Sequence, residues 1–255
     1  MTALILFALL AQTSAGAQTC QQGVALFEKG DPVAARRALE VAVQETPDAH
    51  CWKALGVVLA AMGDYRAATA PFAEACRLDP RERDACYYWA RALYSSDRFT
   101  DSLRALDRAA PAATPAWRLG AARGQALDAL GQGPAAEAAL KLALEQRRLD
   151  RAPVAEPDPL LALASFLYRQ GRSAEALAQL RTAAVGYQKL GAYHYQVGRA
   201  LAQSEQWNEA VTALSRAVEL QPDYPEAHGL LSRCYYRLGN SQLGAAHTAK
   251  ARPSR

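Results

Sequence analysis

The sequence predicts an all-α fold, an α-solenoid of about seven helix-turn-helix repeats, and three observations carry that reading. Alanine returns every 33 or 34 residues, with one interval of 40, at Ala42, Ala75, Ala109, Ala143, Ala183, Ala217 and Ala251. A fixed period of this length marks a repeat architecture. Three residues before each alanine stands a large apolar residue, Leu39, Phe72, Leu106, Leu140, Leu180 and Leu214, until Thr248 breaks the column. Seven before each stands a small one: Ala35, Ala68, Ser102, Ala136, Ala176, Ala210 and Gly244. These spacings put the three columns on one helical face, where small residues let a neighbouring helix approach and the large one fills the remaining space.

That face belongs to the second helix of each unit. The first helix carries its own columns: small Gly23, Gly56, Ala90, Gly124, Ala164, Gly198 and Ser232, each followed three residues later by Leu26, Leu59, Leu93, Leu127, Leu167, Leu201 and Tyr235. Between the two helices lie breakers such as Gly30-Asp31, Gly63-Asp64, Gly131-Gln132-Gly133, Gly171-Arg172 and Gly239-Asn240, which suit a helix end and a tight turn. The units fall at about 16–48, 49–82, 83–116, 117–150, 157–190, 191–224 and 225–251.

The second unit spells the pattern most fully: Trp52, Leu55, Gly56 and Leu59, then Ala68, Phe72, Ala75 and Pro80. It resembles the tetratricopeptide repeat, a helix-turn-helix of about 34 residues, and the first and sixth units match nearly as well. Units three, four and five carry Thr114, Arg148 and Gln188 in place of the closing proline. The resemblance implies a right-handed solenoid over residues 18–150 (repeats 1–4) and 157–251 (repeats 5–7), with 151–156 between them as a proline-flanked, stiff spacer. The last unit, with Gly244, Thr248 and a polar tail, reads as a wettable cap.

Half of the residues are apolar and the net charge is only +4, so the chain can bury a core and carries no basic run of the kind nucleic acid demands. Residues 1–17 read as a signal peptide, because Leu4–Leu10 is apolar but too short to span a bilayer and Ala15-Gly16-Ala17 offers a small-x-small cleavage site. The mature chain is then expected in the periplasm or secreted, with no integral membrane span. The competing reading makes this segment a half-repeat capping helix of a cytoplasmic protein, with Ile5 and Ala8 in phase with Leu39 and Ala42.

Five cysteines show no Cys-x2-Cys pair, which leaves no zinc or redox motif. Cys20 with Cys51 and Cys76 with Cys86 stand at helix ends that could meet, as disulfides or buried thiols, leaving Cys234 unpaired. His194 and His228 share the register of Trp52 and are expected to pack rather than to hold a metal. The sequence shows no catalytic set and no cofactor motif, so an enzyme is not expected.

Tetratricopeptide arrays bind ligands on a concave surface lined by the first helix of each repeat, chiefly at its second, fifth, ninth, twelfth and thirteenth positions. Here those positions hold Lys53, Tyr87, Arg91, Tyr94, Arg118, Gln125, Tyr168, Arg169, Tyr195, Arg199, Arg233, Tyr236 and Arg237, against Glu28, Asp84, Asp128, Asp158 and Glu226. Tyrosine and arginine make binding hot spots, so the resemblance implies an adaptor that takes a protein or peptide segment, with acidic or carboxylate groups, in its groove, and the N-terminal segment makes it an exported one. The alternative is a structural part of an envelope assembly that uses its outer faces.

Overall fold

A computed structural model describes residues 19–82, 84–109, 114–150, 158–183 and 185–251, so the expected signal peptide and the 151–156 spacer lie outside the described residues. These residues form helices and turns with no strand among them. They group into two units, one up to Gly133 and one from Pro134.

The first unit contains α1 (19–28), α2 (Pro32–Glu45), α3 (Ala49–Ala61), α4 (Tyr65–Leu78), α5 (Ala85–Tyr94), α6 (Phe99–Asp107) and α7 (Ala116–Ala129). The second contains α8 (Gly133–Asp150), α9 (Pro159–Arg169), α10 (Ser173–Arg181), a 3-10 turn Val185–Lys189, α11 (Gly191–Gln203), α12 (Trp207–Leu220), α13 (Pro225–Arg237) and α14 (Ser241–Lys250). Successive helices pack on one another from α2 to α7 and from α9 to α14. The first helices of successive repeats also touch, α5 with α7 and α9 with α11 with α13.

The packing explains the columns. A Cβ added to Gly23 would lie 2.5 Å from Leu39 Cγ, one on Gly56 2.6 Å from the Phe72 ring, and one on Gly198 2.5 Å from Leu214 Cγ. Each large residue of a second helix is thus a knob in the gap left by the small residue of the first. Ala35, Ala42, Ala68, Ala75, Ala136, Ala143, Ala210 and Ala217 are fully buried beside these knobs. Three positions of the alanine column depart from expectation: Ala109, Ala183 and Ala251 lie beyond the ends of α6, α10 and α14. After α10 the chain tightens into the 3-10 turn instead of completing another helical turn.

The hairpin turns follow local chemistry. Gly30, Gly63, Gly131, Gly171 and Gly239 have φ between 73 and 85°, the left-handed state that ends a helix and that glycine adopts without a Cβ penalty. Asp97 and Glu205 hold the same register at φ 59 and 58°. Three of the second helices, α2, α4 and α14, start on side-chain caps: Asp31 accepts from the Ala34 amide, Asp64 from Ala67 and Asn240 from Leu243.

Both candidate cysteine pairs are bonded. Cys20–Cys51 ties α1 to α3 with Cα atoms 5.7 Å apart, and Cys76–Cys86 ties α4 to α5 at 4.8 Å. Cys234 is a buried free thiol.

Candidate functional site

In the first unit the expected groove cations are already engaged. Lys53 pairs with Glu82, which His50 Nδ1 also approaches at 3.6 Å. Arg118 donates to Asp84 Oδ2 at 2.8 Å, and Thr114 Oγ1 donates to Asp84 Oδ1 at 2.7 Å. The Arg118 guanidinium carbon sits 4.4 Å from the centre of the Tyr87 ring. Tyr87, expected to line the groove, is only 2% exposed and belongs to the core around Leu93 and Leu106. Burial raises its hydroxyl pKa above the ordinary range, against the pull of Arg91 and Arg118. Arg91 Nη1 donates to Gln125 Oε1 at 2.9 Å, and Tyr94 packs edge-on against Phe99 at 5.3 Å. Lys53, Arg118 and Arg91 thus stitch one repeat to the next: Arg91–Gln125 and Asp84–Arg118 join residues 34 apart, and Lys53 reaches Glu82 in the turn before α5.

The second unit is different. Ser165, Arg199 and Arg233 occupy one register on α9, α11 and α13. The Arg199 guanidinium carbon lies 4.0 Å from the Tyr168 ring centre and 5.3 Å from that of Tyr195. Its Nη1 donates to Gln196 Oε1 at 3.1 Å and reaches Ser165 Oγ at 3.4 Å. The same serine hydroxyl accepts from Arg169 Nη1 at 2.8 Å. Tyr195 meets the Tyr224 ring at 4.9 Å. Burial raises the Tyr195 pKa, with Glu226 and Tyr168 adding to the rise and Arg199 and Arg233 opposing it. Among the described residues, neither Arg199 nor Arg233 has a carboxylate partner.

Aromatic contact positions the Arg199 plane while leaving its Nε and Nη2 edges free of partners among the described residues; a guanidinium so presented donates in-plane to a carboxylate. Arg233 is exposed on α13, nine residues after Tyr224. Two other expected residues face elsewhere. Tyr236 leans over α14, its ring 2.9 Å from where a Gly244 Cβ would stand, and Arg237 lies 5.7 Å from the Trp207 ring. Small Gly244 leaves the space that the Tyr236 ring occupies beside α14.

Sequence reasoning missed Ser165, Gln196 and Tyr224. Ser165 was findable, since it stands one repeat before Arg199 in the same column. It also missed a buried network: Arg147 Nη1 donates to the Tyr187 hydroxyl at 2.9 Å, and Tyr187 donates to Asp158 Oδ2 at 2.8 Å. Asp158 caps α9 through the Leu160 and Leu161 amides, so this acid is a structural cap and not a groove charge. His194 and His228 engage the separate carbonyls of Gln188 and Pro222. No helix among the described residues is long and apolar enough to cross a membrane.

Comparison with known proteins agrees with this architecture. Residues 53–116 match the family model described as tetratricopeptide repeat, and residues 198–243 one described as TPR repeat. A search of curated proteins finds no match. Among solved structures, a tetratricopeptide repeat protein from Parabacteroides merdae ATCC 43184 aligns over 93% of this chain and 92% of its own, at 13% identity and TM-score 0.72. A chain of the APC/C hetero-tetramer Cut9-Hcn1 aligns over 89% of this chain and 44% of its own, at 17% identity and TM-score 0.67. Yeast Tom70 aligns over 95% and 50%, at 16% identity and TM-score 0.67. The chain thus spans about half the length of these last two, and at such identities the likeness is one of fold. Repeat columns, hairpin packing and both family matches make this chain a tetratricopeptide repeat protein, an interaction scaffold by fold.

Proposed function

We propose that the protein is an exported adaptor whose second unit captures an acidic segment of a partner protein on the shared face of α9, α11 and α13. The observation that carries this reading is Arg199, stacked on Tyr168 and Tyr195 with no carboxylate of its own among the described residues. A partner's Asp or Glu side chain takes the free guanidinium edges while its apolar parts lie on the tyrosine rings. The first-unit cations contribute repeat-to-repeat ties instead. Export is supported by the apolar 4–10 run and by the two cysteine pairs, since disulfides persist in oxidising compartments.

Replacing Arg199 and Arg233 together by Glu is expected to weaken partner capture from the native host by more than about tenfold, with circular dichroism unchanged, because attraction becomes like-charge repulsion. Capture should also weaken as salt rises. Capture of the same proteins at the wild-type level by the double variant overturns the groove and favours an architectural part held by its outer faces. For export, mass spectrometry should find Gln18 as the N-terminal residue; an intact Met1 in a cytoplasmic fraction overturns it.

A further inference from the structure

The last helix is held unlike the other second helices. α12 docks through Leu214 and its flanking alanines, whereas α14 has Thr248 in the leucine's place and buries only Gly244. A polar seam takes over. Ser232 Oγ donates to the Gly244 carbonyl at 2.7 Å and stands 2.7 Å from Thr248 Oγ1. One turn away, the Nδ1 atoms of His228 and His247 are 2.9 Å apart, and His228 Nε2 is 3.0 Å from the Pro222 carbonyl oxygen. The two imidazoles stack at 5.1 Å, and Tyr235 stacks on His247 at 5.7 Å.

A carbonyl only accepts, so His228 Nε2 carries a hydrogen. Neutral His228 therefore presents Nδ1 as an acceptor, and His247 donates to it from its own Nδ1. We propose that this pair makes α14 a proton-released helix, docked near neutral pH and detached once both imidazoles are protonated. A first proton goes to His247 Nε2 and leaves the bond in place. A second must take the His228 Nδ1 lone pair, which removes the acceptor and sets two cations against each other. His228 is 4% exposed, so water screens that repulsion poorly.

Among the described residues no acid pairs with either imidazole. Burial first, then His228 and the Lys250 ammonium on α14, hold His247 below the ordinary imidazole range. On α13 the facing titratable group is Tyr235, a ring contact, and α12 sends no titratable side chain to the pair among the described residues. The sign follows: with His228 Nδ1 engaged as an acceptor and His247 held below its ordinary range, the docked state binds fewer protons than the detached one, and a free imidazole titrates near about 6.5. Docking therefore weakens as pH falls through that range, by about tenfold per pH unit for each extra proton held by the detached state. This holds whatever the groove binds.

Hydrogen exchange of the full chain, corrected for the intrinsic effect of pH, tests it. Between about pH 7.5 and about pH 5, residues 241–251 should lose at least about tenfold protection while α11 and α12 keep theirs. The double variant His228→Phe with His247→Phe keeps stacked rings without protons and should show equal protection at both values. Unchanged wild-type protection at the lower pH overturns the proposal, as does a loss that the double variant shares. Should that variant leave α14 unprotected already at neutral pH, imidazole NMR of the wild type decides. One ring resisting protonation until the α14 signals collapse supports the switch; two independent titrations with α14 intact overturn it.

Discussion

Gly198 and Gly229 are both helical glycines of the second unit, but only Gly198 belongs to the small-residue column, and their surroundings differ accordingly. A Cβ on Gly198 would sit 2.5 Å from Leu214 Cγ, whereas one on Gly229 would meet only the Ala251 Cβ at 3.7 Å, an ordinary contact. Alanine gains about 1 kcal/mol over glycine inside a helix, and overpacking a core costs about 1–3 kcal/mol. Gly198→Ala should therefore lower the thermal midpoint and Gly229→Ala raise it; the same sign in both variants would contradict the knob-and-gap packing. Glu205 offers a second test, because it holds φ 58° where five repeats use glycine. Glu205→Gly should stabilise by up to about 1 kcal/mol in urea unfolding, and a destabilised variant would mean that its side chain earns its place by other contacts. The packing columns were legible because each rests on side-chain volume at a fixed helical spacing. Tyr87 was not, since its register permits either a groove or a core position and only the Arg118 and Asp84 beside it decide.

Between elements, the ties that matter join residues one repeat apart. Arg91 with Gln125, Asp84 with Arg118, and Ser165 with Arg199 all stand 34 residues apart, so this spacing could have been read from the sequence as a list of neighbours. The Arg147–Tyr187–Asp158 network could not: Tyr187 sits on the 3-10 turn, outside the repeat register. A further tie joins α8 to α10. Arg172 grips Glu137 with both terminal nitrogens at 2.6 and 3.0 Å, and Lys141 adds a contact at 2.7 Å. Hydrogen bonds from Arg172 and then Lys141 hold the Glu137 pKa down from 4.5 to about 2. A lowered carboxylate pKa gives stability that is present above the unfolded value and lost as pH falls toward the folded one. Glu137→Gln should thus cost about 1 kcal/mol at neutral pH, a figure kept small because Arg172 is one-third exposed and solvent-screened. The wild-type and variant stability curves should converge between pH 4.5 and about 2, and parallel curves there would remove this pair from the stability of the unit.

At the scale of the whole molecule, both disulfides lie in the first unit and none of the second unit's described cysteines is bonded. Cys20–Cys51 closes a separation of 31 residues and Cys76–Cys86 one of 10, and loops of such lengths restrict the unfolded chain by on the order of 3 kcal/mol each. They also bond across three consecutive repeats, where stability is otherwise a sum of local interfaces. Reduction should therefore weaken one unit selectively. With a phosphine reductant, hydrogen exchange in α2, α3, α4 and α5 should accelerate well over tenfold, as expected from a loss of that size, while α11, α12 and α13 exchange as before. Replacing Cys20 and Cys51 by Ser should reproduce the effect in α1–α3, and replacing Cys76 and Cys86 should do so in α4 and α5. Equal protection before and after reduction, with free thiols verified by mass, would show that the helix packing alone holds these repeats and would withdraw the support that the cysteine pairs lend to export.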